Sequence, residues 1–240
     1  MKQRLDVLLV ARGLAQSREK AQALIMAGSV MVAGQKAAKP GQIVAAEAEL
    51  TVSAPPRYVS RGGLKLEAAL RDFHVDPTGL VCLDIGASTG GFTDCLLQHG
   101  AGSVHAIDVG TNQLDYRLRT DPRVRSQEHR NARELAFADI GELVELVVCD
   151  VSFISVTLIL PAIVALLTPG GRMIVLVKPQ FEVGKGQVGK GGIVRDETLH
   201  VQACARVEDA VRAAGFRTAL MPSPILGTEG NREFLLYAHH

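Results

Sequence analysis

Tryptophan is absent from this chain, and aromatic residues make up only 4% of it. That scarcity argues against a carbohydrate-stacking surface. No apolar run approaches the roughly 18 residues that a membrane span needs. The opening Met-Lys-Gln-Arg-Leu-Asp is unlike a signal peptide. The four cysteines, Cys82, Cys95, Cys149 and Cys204, form no C-x-x-C pair and no metal-ligand spacing. No metal is therefore expected, and buried thiols suit a reducing cytoplasm. What is present is an apolar fraction of 47%, ample for a sizeable core. A length of 240 residues allows a small domain beside a medium one.

The net charge of +1 excludes nothing, but its distribution is uneven. Residues 1–57 carry eight Lys/Arg against four Asp/Glu, which suggests that this quarter meets a polyanion. Leu5, Leu8 and Leu9 repeat at helical spacing, with Gly13 placed to end the helix. Ser17 reads as the N-cap of a second helix, with Ala21, Leu24 and Ile25 inward and Gly28 past its end. Short strands follow at Val30–Val32 and Glu49–Val52, with a turn at Lys39-Pro-Gly41. Over residues 3–50 the pattern Arg4-Leu-Asp, Ser17-Arg-Glu-Lys-Ala-Gln-Ala-Leu-Ile25 and Gly28-Ser-Val-Met-Val-Ala-Gly34 resembles the alpha-L RNA-binding motif, a module named after a ribosomal protein. The resemblance implies structured RNA as partner, read through shape, 2′-hydroxyls and phosphates, with Arg4, Arg18 and Lys20 as contacts. The expected organisation is an RNA-binding domain over 1–54, a linker over 55–61 stiffened by Ala54-Pro-Pro-Arg57, and a catalytic domain over 62–240.

That larger part is organised around Val81-Cys-Leu-Asp-Ile-Gly-Ala-Ser-Thr-Gly-Gly-Phe-Thr93. An apolar run ends in Asp84, a loop of small residues follows, and a helix begins near Phe92, the opening of a doubly wound α/β domain. The spacing fails G-x-G-x-x-G, so a dinucleotide is not indicated. An acid just ahead of the glycine turn resembles the first motif of S-adenosylmethionine (SAM)-dependent methyltransferases. A second acid, Asp108, ends the next strand at 22 residues from Gly86, close to the roughly 20 expected for a ribose contact. The residues expected at the cofactor are Asp84, Gly86, Ala87, Ser88, Thr89, Gly90, Gly91, Phe92, Asp108 and, on the adenine side, Asn131.

Further along, a helix is expected over Gly62–Phe73 with Ser60 as its cap, and others over Asn112–Thr120, Val156–Leu167 and Asp196–Ala214. Strands are expected at Leu80–Leu83, Ser103–Asp108, Arg123–Gln127, Glu145–Cys149, Arg172–Val177, Arg217–Met221 and Glu233–Tyr237. Asp150 and Lys178 then sit at carboxyl ends of parallel strands. An antiparallel last strand, as in methyltransferases of this fold, brings Glu233 to the same edge, and the helix carrying Lys65 can lie over it. These four resemble the Lys-Asp-Lys-Glu tetrad of ribose 2′-O-methyltransferases of the FtsJ type. Tyr58-Val-Ser-Arg-Gly62, Asp150-Val-Ser-Phe-Ile-Ser155 and Val177-Lys-Pro-Gln-Phe-Glu-Val-Gly-Lys-Gly-Gln-Val188 extend the resemblance to the TlyA family of bacterial ribosomal-RNA methyltransferases, often labelled haemolysins.

The resemblance implies a Rossmann-like SAM methyltransferase with a seven-stranded mixed sheet, acting on a cytidine ribose of 23S rRNA, with 16S rRNA a further substrate of some longer members. Lys178 is expected at the hydroxyl, either taking its proton or steering the oxygen while water does, with Lys65 lowering the basicity of Lys178. Asp150 is expected to hold the ammonium, and Glu233 to position a lysine or the ribose. Gly184–Lys190 narrowly misses the phosphate-loop pattern, because Gly191 stands where Ser or Thr is required. It reads instead as a flap with Lys185, Lys190 and Arg195 near RNA phosphates. Two other readings are weaker. A base methyltransferase would want Asn/Asp-Pro-Pro-aromatic where Asp150-Val-Ser-Phe153 stands, and a cytolysin would want an amphipathic basic helix or an apolar span.

Overall fold

The computed structural model describes residues 2–53, 56–227 and 230–240. They divide into two compact units, residues 1–57 and 58–240. Ala54 and Pro55, half of the expected stiff linker, lie outside the described residues.

In the first unit β1 (Lys2–Arg4) leads into α1 (Leu5–Ala11) and α2 (Arg18–Met26). Gly13 and Gly28 end these helices at φ 71° and 72°, a region that costs a side chain strain. The Ser17 hydroxyl accepts from Lys20 N at 3.2 Å, the N-cap bond expected of it. The strands β2 (Val30–Val32), β3 (Gln35–Lys36), β4 (Ile43–Ala45) and β5 (Leu50–Val52) follow. They form a β3-β2-β5 sheet and an antiparallel β1-β4 pair. Leu5, Leu8, Leu9, Ala21, Ile25, Val30, Ala37 and Val44 make one small core. β1, β3 and β4 were not expected from the sequence. Each is two or three residues long, too short for an alternation to show.

The second unit opens with α3 (Gly62–Asp72), then β6 (Val81–Ile85), α4 (Gly91–Gln98), β7 (Ser103–Ile107), α5 (Tyr116–Arg119), β8 (Val124–Gln127), α6 (Phe137–Ile140) and β9 (Val144–Cys149). It continues through α7 (Leu160–Leu166), β10 (Leu167–Val177), α8 (Pro179–Glu182), α9 (Glu197–Ala213), β11 (Arg217–Pro222) and β12 (Phe234–His239). Among the described residues seven strands form one sheet in the order β11-β12-β10-β9-β6-β7-β8. β12 is antiparallel to both neighbours, and β10, β9, β6, β7 and β8 are parallel. Strand alternation splits the core into two layers. Leu83, Ile85, Val147 and Cys149 face the side covered by α7 and α9 with Ile163, Leu166, Val207 and Val211. Cys82, Leu146 and Val148 face α3 and α4 with Leu66, Leu70, Phe92 and Leu96. All four cysteines are free and buried, and burial pushes the Cys82 and Cys204 thiols up to about 12.

Three elements depart from expectation. The helix expected over Asn112–Thr120 is only α5, because Asn112 is left-handed at φ 51° and Asp115 caps the helix by accepting from Arg117 N. The single helix expected over Val156–Leu167 is a 3-10 turn at Val156–Leu158 followed by α7, with Pro161, which lacks an N–H, in the first turn. β10 starts at Leu167 rather than Arg172, and Pro169-Gly170-Gly171 shifts its register against β9. None of this moves the carboxyl rim, where the ends of β6, β7, β9 and β10 meet the start of β12.

Candidate active site

Two clefts open side by side along that rim. One, of about 460 Å³, is lined by residues that include Gly86, Asp108, Asn131, Asp150, Phe153 and Ile154. The other, of about 270 Å³, includes Ser60, Arg61, Lys65, Phe92, Lys178 and Glu233. Gly86, Ser88, Asp150 and Ser152 line both, so the two spaces share one wall.

The smaller cleft holds two lysine–carboxylate pairs. Lys65, on α3, places Nζ 2.5 Å from Glu233 Oε2, and both side chains are almost wholly buried. Lys178, at the end of β10, places Nζ 2.6 Å from Asp150 Oδ1 and donates a hydrogen bond to Ser152 Oγ at 2.8 Å. The Asp150 contact is close but lacks hydrogen-bond alignment, so the directional bond of that ammonium is the one to Ser152. A lysine has three N–H donors. With one turned to Ser152 and the charge balanced by Asp150, an N–H is left for a group in the cleft. Each ammonium thus has a carboxylate of its own.

The larger cleft is where the cofactor of this fold would be held, and its residues fit one. Its volume lies within the range of about 300–1,000 Å³ usual for small-molecule sites. Asp108 accepts Ser88 N on one oxygen and Gly110 N on the other, both at 2.7 Å. Those bonds fix the carboxylate and leave each oxygen a further lone pair for a ribose diol. At Gly86, φ is +80° and a Cβ would stand 2.5 Å from the Asp150 carbonyl oxygen, so only glycine lets the loop lie this close to β9. Asn131 lines the cleft while its side chain caps a short turn, accepting from Arg133 N.

Asp84, Thr89 and Gly90 line neither cleft. Gly90 faces inward over Leu114 and Leu118, and Thr89 is exposed. Asp84 is wholly buried beneath the loop, where Oδ2 accepts from Thr93 Oγ1 at 2.6 Å and Oδ1 has no protein partner. It holds the start of α4 to β6. Burial pushes its carboxyl up to about 7; the Thr93 bond opposes this, while the charges of Asp150 and Asp108 add to it. The unfolded chain releases this proton near its ordinary value of 3.8, whereas the folded chain keeps it to about 7. The folded state therefore binds more protons across that window, and this group's contribution to stability falls as pH rises through it. Asp84→Asn keeps an acceptor for Thr93 but does not ionise. Thermal melts should show the variant gaining on the parent by up to about 2 kcal/mol between roughly pH 5 and pH 8. An unchanged difference between the two proteins would show that Asp84 does not titrate in that range.

The residues expected at RNA are spread over both units. In the first, Asp6 is fully buried and accepts from Arg4 at 2.8 and 3.0 Å, from Arg18 at 2.9 Å and from Gln22 at 2.9 Å. The Arg4 guanidinium is foremost in holding this carboxyl well below the usual range. Arg4 and Arg18 are thus oriented by a shared carboxylate, with about half of each side chain open to solvent. Lys20 is exposed on α2, and Lys190 and Arg195 are exposed on the glycine-rich segment of the second unit. The Lys185 side chain lies outside the described residues.

Ser152 and Phe153 were missed in the sequence. Phe153 is 91% exposed at φ +66°, a costly conformation for a bulky residue, and its ring centre lies 5.2 Å from that of Phe181. The signal was an aromatic residue three positions after a strand-end acid, which periodicity reads as a core residue.

Comparison with known proteins agrees with this geometry. Residues 58–240 match the FtsJ-like methyltransferase family, and residues 3–50 match the S4 domain. YqxC of Bacillus subtilis is 51% identical over 99% of this chain and 86% of its own length. The 16S/23S rRNA (cytidine-2′-O)-methyltransferase TlyA of Mycobacterium tuberculosis is 46% identical over 98% of this chain and 88% of its own. A solved structure from Streptococcus thermophilus, named as a candidate hemolysin, superposes with a TM-score of 0.76 at 46% identity, covering 99% of this chain and 88% of that one. With a glycine loop, a fixed acid on the second strand and paired lysines on the sheet rim, this chain belongs to the FtsJ-like methyltransferase family and carries an S4 domain ahead of the catalytic unit.

Proposed function

We propose that this protein is a SAM-dependent 2′-O-methyltransferase acting on the ribose of a cytidine in ribosomal RNA, in 23S rRNA and, as a second candidate, in 16S rRNA. The observation that carries the reading is Lys178 held in the smaller cleft by Asp150 and Ser152, two residues of the wall shared by both clefts, with Lys65–Glu233 beside it. Gly86, Ser88, Asp108 and Asn131 would hold SAM, whose contribution when bound is a methyl group activated on a sulfonium.

The rest of the chemistry belongs to this chain. A ribose hydroxyl is a poor nucleophile until it is aligned and its proton is drawn away. The remaining N–H of Lys178 holds the 2′-oxygen toward the shared wall; an ammonium that donates in this way cannot accept, so the hydroxyl proton would pass to the Asp150 carboxylate or to water as the methyl group leaves the sulfonium for that oxygen. Lys65 and Glu233, fixed to each other on the facing wall, locate the sugar. Phe153 offers an aromatic face at the rim on which an unstacked base can lie. The S4 unit, with Arg4, Arg18 and Lys20, supplies affinity for folded RNA, and the work is done in the cytoplasm, where ribosomes are.

The reading is tested by supplying methyl-labelled SAM with ribosomal subunits that lack the modification, then digesting the RNA with alkali. A 2′-O-methyl group protects the adjoining phosphodiester, so label is expected in an alkali-resistant dinucleotide with cytidine at the 5′ position. Label released on single nucleotides would indicate base methylation, and no label in either RNA would remove the reading.

A further inference from the structure

The glycine-rich segment 184–194 is as distinctive as the glycine loop, yet nothing in the chemistry above uses it. Its last turn is closed on itself by Gly189 N donating to Ile193 O at 3.1 Å. Gly191 and Gly192 turn at φ 76°, and Lys190 projects into solvent. The base of the turn is held by two buried side chains. Asn231 accepts from Val194 N at 3.1 Å through Oδ1 and donates to Gly192 O at 3.0 Å through Nδ2. His200, in the first turn of α9, lies 2.8 Å from Val194 O through Nε2, and its ring centre is 5.9 Å from that of Phe234 with the planes tilted by 57°.

Both tethers run to residues that flank Glu233 in the chain. Asn231 precedes it by two positions, and Phe234 follows it directly. The space for the Glu233 carboxylate is also set from this side, since a Cβ on Gly227 would stand 2.0 Å from Glu233 Oε1. Gly227 N in turn donates to Asn231 O at 2.9 Å. Asn231 is 3% exposed, and its amide is matched at both ends: a donor to one flap residue and an acceptor from another. A buried amide satisfied in this way has one orientation.

We infer that Asn231 is a positioning residue that couples the flap at 189–194 to Glu233, so that seating RNA phosphates on the flap and setting the Lys65–Glu233 pair are one event. The inference rests on the methyltransferase reading above. It gives the flap a role beyond affinity: a flap in the wrong place leaves the sugar-locating pair in the wrong place.

The test uses the full chain with Asn231→Ala and with Asn231→Asp, which keeps the volume and the acceptor but loses the donor to Gly192. Three quantities are measured: single-turnover methyl transfer to ribosomal RNA, SAM affinity, and the rate of trypsin cleavage after Lys190 and Arg195. In both variants cleavage should quicken and kcat should fall ~10- to ~100-fold, the scale set by small misplacements of aligning groups. SAM affinity should stay within about twofold of the parent, since Asn231 lies outside the cofactor cleft. Should Asn231→Ala fail to fold, Asn231→Asp carries the same comparison. Faster cleavage with unchanged kcat would overturn the coupling. So would a loss of kcat at the parental cleavage rate, or a matching loss of SAM affinity. A parent enzyme that labels no RNA would instead remove the reading on which the inference rests.

Discussion

Lys178→Ala should lose roughly 10²–10⁴ of kcat while keeping its fold and its affinity for SAM, the range that a positioned proton-transfer or donor group supplies. Lys178 lines the smaller cleft and does not line the one that fits the cofactor. Its removal leaves Asp150 without its cation, but the Asp150 side chain is 22% exposed, so water can take up much of the lost interaction. The same experiment on Lys65 would be harder to interpret. Its partner Glu233 is 3% exposed, and breaking a buried pair costs about 3–5 kcal/mol because one charge is left without compensation. Loss of activity in Lys65→Ala would therefore mix chemistry with stability. Lys178→Arg sharpens the result. It keeps the charge, but a planar guanidinium cannot meet Asp150, Ser152 and a ribose oxygen from the tetrahedral positions of an ammonium. Both variants should be severely impaired in single-turnover assays with calorimetric SAM titrations near the parental value. Activity within about threefold of the parent in Lys178→Ala would place the reacting oxygen elsewhere.

How much of this is legible in the sequence depends on the length scale of each signal. Long apolar strands ending in a charge were readable, so Asp108, Asp150 and Lys178 could be set on one rim from β7, β9 and β10 alone. The antiparallel course of β12 was needed for Glu233, and that came from resemblance rather than from spacing. Pairing could be read only in part. Asp150 was expected to hold the Lys178 ammonium, but Glu233 was left to a lysine or the ribose, and the approach of α3 to β12 is what gives it Lys65. Asp84 illustrates a further limit. An acid at a strand end and an acid one residue inside it look alike in sequence, yet Asp108 lines the cofactor cleft while Asp84 is buried under Thr93. Ser152 and Phe153 sit in an irregular turn, where neither helical nor strand period applies. Arg4 and Arg18 were expected at RNA, but nothing in their spacing told that both are tied to Asp6.

Gly86→Ala should cripple the catalytic unit with a single methyl group. The residue is left-handed at φ +80°, which costs an alanine about 1–2 kcal/mol on backbone grounds alone. The added carbon would also stand 2.5 Å from the Asp150 carbonyl oxygen, 3.0 Å from its carbon and 3.3 Å from Val151 Cα. These are backbone atoms and cannot rotate away. Asp150 N is already bonded to Ile85 O at 2.9 Å, and Gly86 N to Ile107 O at 2.9 Å, so relief requires β6 and β9 to part at their carboxyl ends. That is the wall common to both clefts, and parting it moves Asp150 off Lys178. The expected result is a stability loss of about 2–4 kcal/mol in denaturant melts, with SAM affinity and methyl transfer each falling at least ~100-fold. Gly170→Ala separates strain from collision. Gly170 has nearly the same φ, +81°, but nothing lies within 4 Å of the position its Cβ would take. It should lose only about 1–2 kcal/mol and bind SAM as the parent does. If the two variants lose cofactor affinity equally, the close approach of the glycine turn to Asp150 is not what shapes the site.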